Sequence, residues 1–113
     1  MRRVNEAVRE VVSAHLGQDV ADPRIGFVTV TGVETSADLR SARVFVSVLG
    51  DEHDREAALA GLRSAGGYLQ QQVGVEIRMK RTPSLEFVLD DSIREGMRIT
   101  ELLAGEARPR REE

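Results

Sequence analysis

The sequence contains no cysteine and no tryptophan, and it has only one tyrosine, three phenylalanines and three prolines among 113 residues. The absence of cysteine excludes disulfides, thiolate metal sites and cysteine nucleophiles, and it is compatible with a reducing compartment. The aromatic residues are too few and too dispersed to predict a base-stacking platform. The core must therefore consist mainly of valine, leucine, isoleucine and alanine.

A long apolar run is also missing. Arg2 and Arg3 follow Met1 directly, and the residues after them are mixed, so we expect neither a signal peptide nor a membrane span, and a cytoplasmic location. The net charge of -3 excludes a surface that is basic throughout. Any role in binding nucleic acid must therefore depend on local clusters of cations.

Hydrophobic periodicity predicts a single α+β domain over residues 1–104, followed by a flexible tail over 105–113. The predicted order is helix, strand, strand, glycine-broken helix, strand and short C-terminal helix. These elements are expected at residues 4–16, 27–34, 42–49, 54–73 and 75–89, and after Ser92.

Three local signals refine this order. Gly32 within the first strand indicates a bulge, and Asp51 or Asp54 can cap the second helix. Pro83 removes one hydrogen-bond donor from the third strand, which leaves either one long strand bent at a sheet edge or two short strands. We favour the bent strand.

Gly66 and Gly67 lie side by side in the middle of the second helix. Each costs roughly 1 kcal/mol relative to alanine, so a pair predicts a kink. A kink would expose backbone amides that attract a phosphate. The alternative is that small residues simply let the helix approach the sheet closely.

The basic residues form three groups: Arg78, Lys80 and Arg81 on the third strand; Arg2, Arg3 and Arg9 on the first helix; and Arg63 just before the kink. Alternation places Arg78 and Lys80 on one face of the predicted strand, where they would form a short cationic row. One interpretation is a surface for RNA. The other is that these charges keep a sheet edge soluble.

Candidates for catalysis or metal binding are His15, His53, Asp90 and Asp91, and they form no recognisable constellation. His15 near a helix end suits the helix dipole, and His53 lies in a charged turn. The adjacent Asp90 and Asp91 suit a helix cap, although such a pair could also hold a divalent ion. We therefore predict no catalytic residue, no metal, no cofactor and no small-molecule substrate.

Several longer phrases resemble the bacterial ribosome-binding factor A family. They are DPRIGFVTVTGVETSADLRSARVFVSVLG at 22–50, Ala65-Gly66-Gly67, RTPSLEFVLDDSI at 81–93, and Gly96, Arg98 and Ile99. The resemblance extends over nearly the whole chain up to Leu103. It is specific because the first and third phrases are long.

The resemblance implies a KH domain of the second type, in which helices cover one face of a three-stranded mixed sheet. Ordinary KH domains clamp the nucleic-acid backbone with a GxxG loop, which this sequence lacks. The family instead carries an Ala-x-Gly kink between two helices, which Ala65, Gly66 and Gly67 match. The second glycine, Gly66, departs from the usual pattern, and the tail is shorter than in long family members.

The resemblance further implies a function without catalysis. Members of the family bind the free 30S small ribosomal subunit late in its assembly, near the 5'-terminal helix region of 16S rRNA, and they assist rRNA processing and growth in the cold. We therefore expect a monomer that contacts RNA through Arg63, Ala65, Gly66, Gly67 and the basic groups defined above. The alternative is a protein-interaction module that dimerises through a sheet edge.

Overall fold

The structure, a computed structural model, describes residues 2–90 and contains two helices and three strands. The elements are α1 (Arg2–Gln18), β1 (Val28–Thr35), β2 (Ser41–Val48), α2 (Glu52–Ile77) and β3 (Ser84–Leu89). This arrangement confirms the predicted α+β class. The predicted C-terminal helix, the end of the domain at residue 104 and the tail over 105–113 lie outside the described residues.

The three strands form one mixed sheet in the order β1, β2, β3. β1 is antiparallel to β2, and the register shifts between Val30 and Gly32, which confirms the predicted bulge. β2 is parallel to β3, with Val44 beside Phe87. The central strand therefore has one partner in each orientation, and the connection from β2 to β3 is made by α2.

The core lies between one face of the sheet and the two helices. Its fully buried side chains include Val8 and Val12 of α1, Val44 of β2, and Leu62 and Leu69 of α2. Burial of each such side chain stabilises the fold by about 1.5–3 kcal/mol. On β2 the alternate residues point away from the helices, which gives the sheet one covered face.

α2 begins with a capping box at Asp51. The Asp51 carboxylate accepts a hydrogen bond from the amide of Asp54, and the Asp54 carboxylate accepts one from the amide of Asp51. Two backbone donors at the helix start are thereby satisfied. The prediction that Asp51 or Asp54 caps this helix is confirmed.

In place of the predicted pair of kinked helices, the structure has one continuous helix through Gly66 and Gly67. Neither glycine has a positive φ. The cost of the two glycines is about 1 kcal/mol each, and it is outweighed by the packing of Leu62 and Leu69 on either side of them. The amides that a kink would have exposed are part of the helix.

The prediction of a strand from residue 75 was also wrong. α2 continues through Gly74 to Ile77, and β3 begins only at Ser84. Val73 is fully buried, and Ile77 packs against the core one helical turn later, so the helix retains its buried face to the end. The alternation over residues 75–80 favours a strand locally, but the packing of the buried Val73 and the partly buried Ile77 keeps residues 75–77 in the helix.

Candidate nucleic-acid interface

Three cations lie in the loop that joins α2 to β3. Arg78, Lys80 and Arg81 are all exposed, and the buried Pro83 anchors the loop against the domain. Because β3 starts at Ser84, these cations do not form the predicted row on a strand face. They are instead grouped in a loop of a few residues, which we call the cationic loop (residues 78–82).

The cationic loop is not neutralised by the rest of the fold. Within residues 2–90, no carboxylate comes within 4 Å of the charged groups of Arg78, Lys80 or Arg81. The charge of Arg81 acts on the carboxylate of Asp38. The pKa of Asp38 is lowered mainly by a hydrogen bond from the Ser36 hydroxyl and to a smaller extent by Arg81. The loop therefore presents net positive charge to solvent.

One face of α2 continues this surface along the helix. The residues at helical spacing are Arg63, Gly67, Gln70, Gln71 and Gly74, and we call them the α2 stripe. Each lies three or four residues from the next, except for the adjacent glutamines, so all project within about one third of the helix circumference. From Arg63 to Arg78 the distance along the helix axis is about 22 Å.

A shallow groove of about 420 Å³ runs between the α2 stripe and the cationic loop. It is lined by Gly67, Gln70, Gln71, Gly74, Val75 and Thr82, so carboxylates are absent from its described walls. Thr82 lies directly over Gly74, where an added Cβ would be 2.6 Å from the Thr82 Oγ1 atom. Glycine at this position allows the loop to rest on the helix.

The groove offers polar groups that the fold does not use. In the described part of the chain, the side chains of Gln70, Gln71 and Thr82 make no intramolecular hydrogen bond. They are available to donate to and accept from a sugar, a phosphate or a base edge. Sequence reasoning missed all three residues. Gln70 and Gln71 lie within the predicted helix but carry no charge that would mark an RNA surface, and Thr82 is brought beside them only by the loop that rests on Gly74.

The Ala65-Gly66-Gly67 segment divides between core and solvent. Ala65 packs against the core, and a Cβ added to Gly66 would lie 3.9 Å from the ring of Phe87. Gly67 alone is exposed, with open space around the position of a Cβ. Of the three, only Gly67 belongs to the candidate interface.

The arginines of α1 differ among themselves. Arg2 and Arg3 are exposed, whereas both Nε and Nη2 of Arg9 donate to the Glu6 carboxylate, at 3.2 and 2.7 Å. That hydrogen bond raises the pKa of Arg9 and lowers the pKa of Glu6. Arg9 is thus compensated within its own helix.

Arg2 and Arg3 lie at the same end of the sheet as the cationic loop. The amide and hydroxyl of Thr35, at the end of β1, both donate to Asn5 of α1. The turn that follows β1 contains Asp38, which is influenced by Arg81. Residues within one turn of Asn5 can therefore extend the positive surface beyond α2.

His15 has a structural role that joins the two helices. Its Nδ1 lies 2.6 Å from an Asp19 oxygen, and its Nε2 lies 2.6 Å from an oxygen of Glu76 in α2. The Tyr68 hydroxyl donates to Asp19, and the tyrosine ring packs edge-on against the imidazole at 6.0 Å. The hydrogen bonds to Glu76 and then Asp19 raise the pKa of His15.

The other chemical candidates are separate from one another. His53 is exposed in the first turn of α2, and Asp90 accepts a hydrogen bond of 2.6 Å from Thr31 on the sheet. Asp91 lies outside the described residues. Between residues 2 and 90, no three histidine or carboxylate side chains are grouped so that they could hold a metal ion. Over the same range, no helix combines the length and apolar character needed to cross a bilayer.

Comparison with known proteins gives consistent matches. A family model described as Ribosome-binding factor A matches residues 1–103. Ribosome-binding factor A of Halothermothrix orenii is 46% identical over 102 residues, which cover 90% of this chain and 84% of that protein.

The chain is also similar to known structures of ribosome-binding factor A. The crystal structure of ribosome-binding factor A from Thermus thermophilus is 28% identical, with a TM-score of 0.69 over 78% of this chain and 93% of that one. A homology model of the Thermus thermophilus factor, fitted into a cryo-electron microscopy map of its complex with 30S, is 27% identical. Its TM-score is 0.63 over 77% of this chain and 91% of that chain.

The architecture and the matches lead to the same assignment. One helix, a hairpin, a second helix and a parallel third strand form the KH-like fold that the resemblance implied. The family match covers almost every residue, including the two long phrases at 22–50 and 81–93. The chain belongs to the ribosome-binding factor A family.

Proposed function

We propose that this protein is an assembly factor that binds the free small ribosomal subunit through its RNA. The observation that carries the proposal is the cationic loop, whose three charges face solvent without ion pairs in the described structure, beside the polar groove on α2. The fitting of a relative into a map of its complex with 30S supports the small subunit as the partner.

In this proposal the surface recognises the backbone of 16S rRNA. Arg63 lies at one end of the α2 stripe and the cationic loop at the other, so an RNA strand can lie along the groove between them. The exposed Gly67 lets the backbone approach closely, while Gln70 and Gln71 offer hydrogen bonds. Contacts of this kind depend on shape and charge more than on sequence.

Binding without chemistry is sufficient for the proposed role. The protein would hold an immature conformation of the RNA near the 5'-terminal helix region, and it would leave when that site is remodelled during rRNA processing. We assign no catalytic residue, because His15 and Asp90 are engaged in contacts that join elements of the fold. The proposal includes a cytoplasmic monomer that needs no cofactor and that supports growth in the cold.

The test is cosedimentation with purified small subunits at several salt concentrations. Replacing Arg78, Lys80 and Arg81 by alanine should weaken binding, and each lost phosphate contact should flatten the logarithmic salt dependence by about 0.7 to 0.9. Arg43→Ala is the matched control, because Arg43 is exposed on the sheet and lies 3.9 Å from Glu34. Unchanged affinity and slope in the triple variant would contradict the proposal.

The alternative of dimerisation through a sheet edge is disfavoured at β1. The bulge at Gly32 interrupts the regular ladder of this edge strand, and bulges deter pairing with another chain. Sedimentation of the protein alone distinguishes the two functions. A dimer that forms with increasing concentration and does not bind small subunits would favour the alternative.

A further inference from the structure

Two large apolar side chains are exposed side by side at the end of the hairpin. Phe27 is 79% exposed and Leu49 is 76% exposed. They are neighbours, because the amide of Leu49 donates to the carbonyl of Phe27 at 3.1 Å. We call them the apolar pair. An exposed cluster of this kind is typical of a surface that contacts another protein.

A groove lies on each side of Phe27. One, of about 370 Å³, runs between the end of α1 and the start of β1 and includes Leu16 and Ile25. The other, of about 400 Å³, runs between the loop before β1 and the first turns of α2 and includes Pro23 and Ala57. The phenylalanine therefore projects between two depressions that a partner's side chains can fill.

The surroundings of the apolar pair are acidic. Asp54 lines the second groove together with Phe27 and Leu49, and Asp51 caps the same helix start; the other carboxylates of these two segments are Asp22, Glu52 and Glu56. The guanidinium groups of the same segments are matched by carboxylates, since Arg24 lies 2.6 Å from Asp22 and Arg55 lies 3.1 Å from Glu52. A net negative charge thus remains beside the apolar surface.

This surface is unsuited to RNA. Phosphates would be repelled by the carboxylates, and the cationic loop lies at the other end of α2, about 39 Å away along a helix of 26 residues. A second copy that presented the same surface in a two-fold contact would also bring acidic residues against acidic residues. Charge complementarity instead favours a partner that is positively charged.

We propose that the apolar pair and its two grooves form a docking site for a lysine- or arginine-rich protein segment that carries a large apolar side chain. The apolar side chain would enter a groove beside Phe27, while the cations of the segment would meet the carboxylates at the start of α2. This second interface is independent of the RNA-binding surface. With both, one molecule can contact RNA and a basic protein at opposite ends of one helix.

The first experiment uses the full chain and a synthetic amphipathic helical peptide of lysine and leucine, with fluorescence anisotropy as the readout. The double variant Phe27→Ser, Leu49→Ser should bind this peptide at least tenfold more weakly. Val75→Ser is the matched control, because Val75 is 66% exposed near the other end of α2, and it should change binding less than twofold. A peptide with glutamate in place of lysine should not bind. Equal binding by the double variant and the control would overturn the proposal.

Stability measurements test whether the apolar pair is covered by a partner or by the chain's own residues beyond Asp90. Because both side chains are exposed, the double variant should leave the free energy of unfolding unchanged. A large loss of stability would overturn the proposal, since it would mean that another part of this chain covers the pair.

A photo-cross-linker at position 27 tests the docking site on the small subunit. Cross-links to a basic protein of the subunit would support the proposal, whereas cross-links to RNA or to a second copy of this chain would overturn it. The peptide assay remains informative if the protein fails to bind subunits, so the two proposals can fail separately. Arg78→Ala should weaken subunit binding and leave peptide binding intact.

Discussion

Arg78 combines an unusual backbone conformation with a position in the cationic loop. It ends α2 with φ 60° and ψ 51°, and within residues 2–90 only Leu39 among the other non-glycine residues has a positive φ. Glycine is the usual residue where a helix ends in this left-handed conformation. For a residue with a Cβ atom the conformation costs roughly 1–2 kcal/mol. A residue that tolerates this cost at the edge of a candidate interface is a good subject for mutation.

Three substitutions separate the backbone from the charge. Arg78→Ala removes the charge and keeps the strain, Arg78→Gly removes both, and Arg78→Lys keeps both. Glycine relieves about 1–2 kcal/mol of strain, but the greater freedom of the unfolded chain offsets about 0.4–1 kcal/mol of this gain. The glycine variant should therefore be about 1 kcal/mol more stable than the alanine variant, which corresponds to a melting temperature about 4 °C higher.

Binding should follow the charge and not the stability. If Arg78 meets a phosphate, the alanine and glycine variants should bind small subunits equally weakly, each with a salt dependence flatter by about 0.7 to 0.9 in logarithmic slope. The lysine variant should bind much as the original protein does, because a phosphate contact needs a positive charge more than a planar guanidinium.

The assays are urea and thermal unfolding, together with cosedimentation at three or more salt concentrations. If the glycine and alanine variants have equal stability, the reasoning from backbone strain is refuted. If the glycine and alanine variants differ in affinity, the shape of the helix end contributes to binding in addition to the charge. Full affinity in all three variants would exclude Arg78 from the interface.

Three further predictions concern α2 and its contacts. The pKa of His15 is raised above 6.5 by Glu76 and Asp19, so its contribution to stability is complete below about pH 6.5 and is lost as the pH rises through the folded pKa. Urea unfolding should therefore show His15→Gln differing from the original protein at pH 6 more than at pH 9, and a constant difference would contradict this. Gly67→Ala should stabilise the helix by about 0.5–1 kcal/mol and weaken subunit binding, since Gly67 is exposed with open space around it. Gly74→Ala should be less stable than Gly67→Ala in thermal unfolding, because its Cβ would meet the Thr82 hydroxyl, and equal stabilities would show that the loop moves freely.

The elements with strong local signals could be predicted from the sequence. The helical spacing of Val8 and Val12 predicts α1, and the β-branched residues on both sides of Gly32 predict a bulged strand. The cap at Asp51 was also predictable, since a side chain with a carboxylate before a helix satisfies free amides. In each case local preference and the final packing agree.

The middle and end of α2 could not be predicted because local preference and packing disagree there. Gly66, Gly67 and Gly74 each favour an interruption, but the buried faces of Leu69 and Val73 need a continuous helix to reach the core. Because packing extends the helix beyond the predicted end, the position of the candidate site residues changes as well. The three cations were assigned to a strand face, whereas they lie in the loop between α2 and β3.

A kinked helix would use the positive φ that glycine allows at Gly67, which would be a reason to expect strain in Gly67→Val. The structure places Gly67 in ordinary helical backbone, so that reason is wrong. Glycine at this position has no side chain, so the helix backbone beside Gln70 and Gln71 is exposed. A larger residue is expected to affect the approach of RNA more than the folding of the chain.

The charged residues at the two ends of α2 differ in how much they contribute to folding. At the start, Asp51 and Asp54 satisfy backbone donors and complement the positive end of the helix dipole, so acidic residues there stabilise the helix. At the other end, the last turn contains no basic residue. Lys80 and Arg81 lie beyond the final turn, where the influence of the dipole has fallen off, and no ion pair within residues 2–90 holds them. Because folding provides no reason for these exposed cations, their replacement should leave the free energy of unfolding within about 0.5 kcal/mol of the original, and any large loss of subunit binding must come from the interface itself.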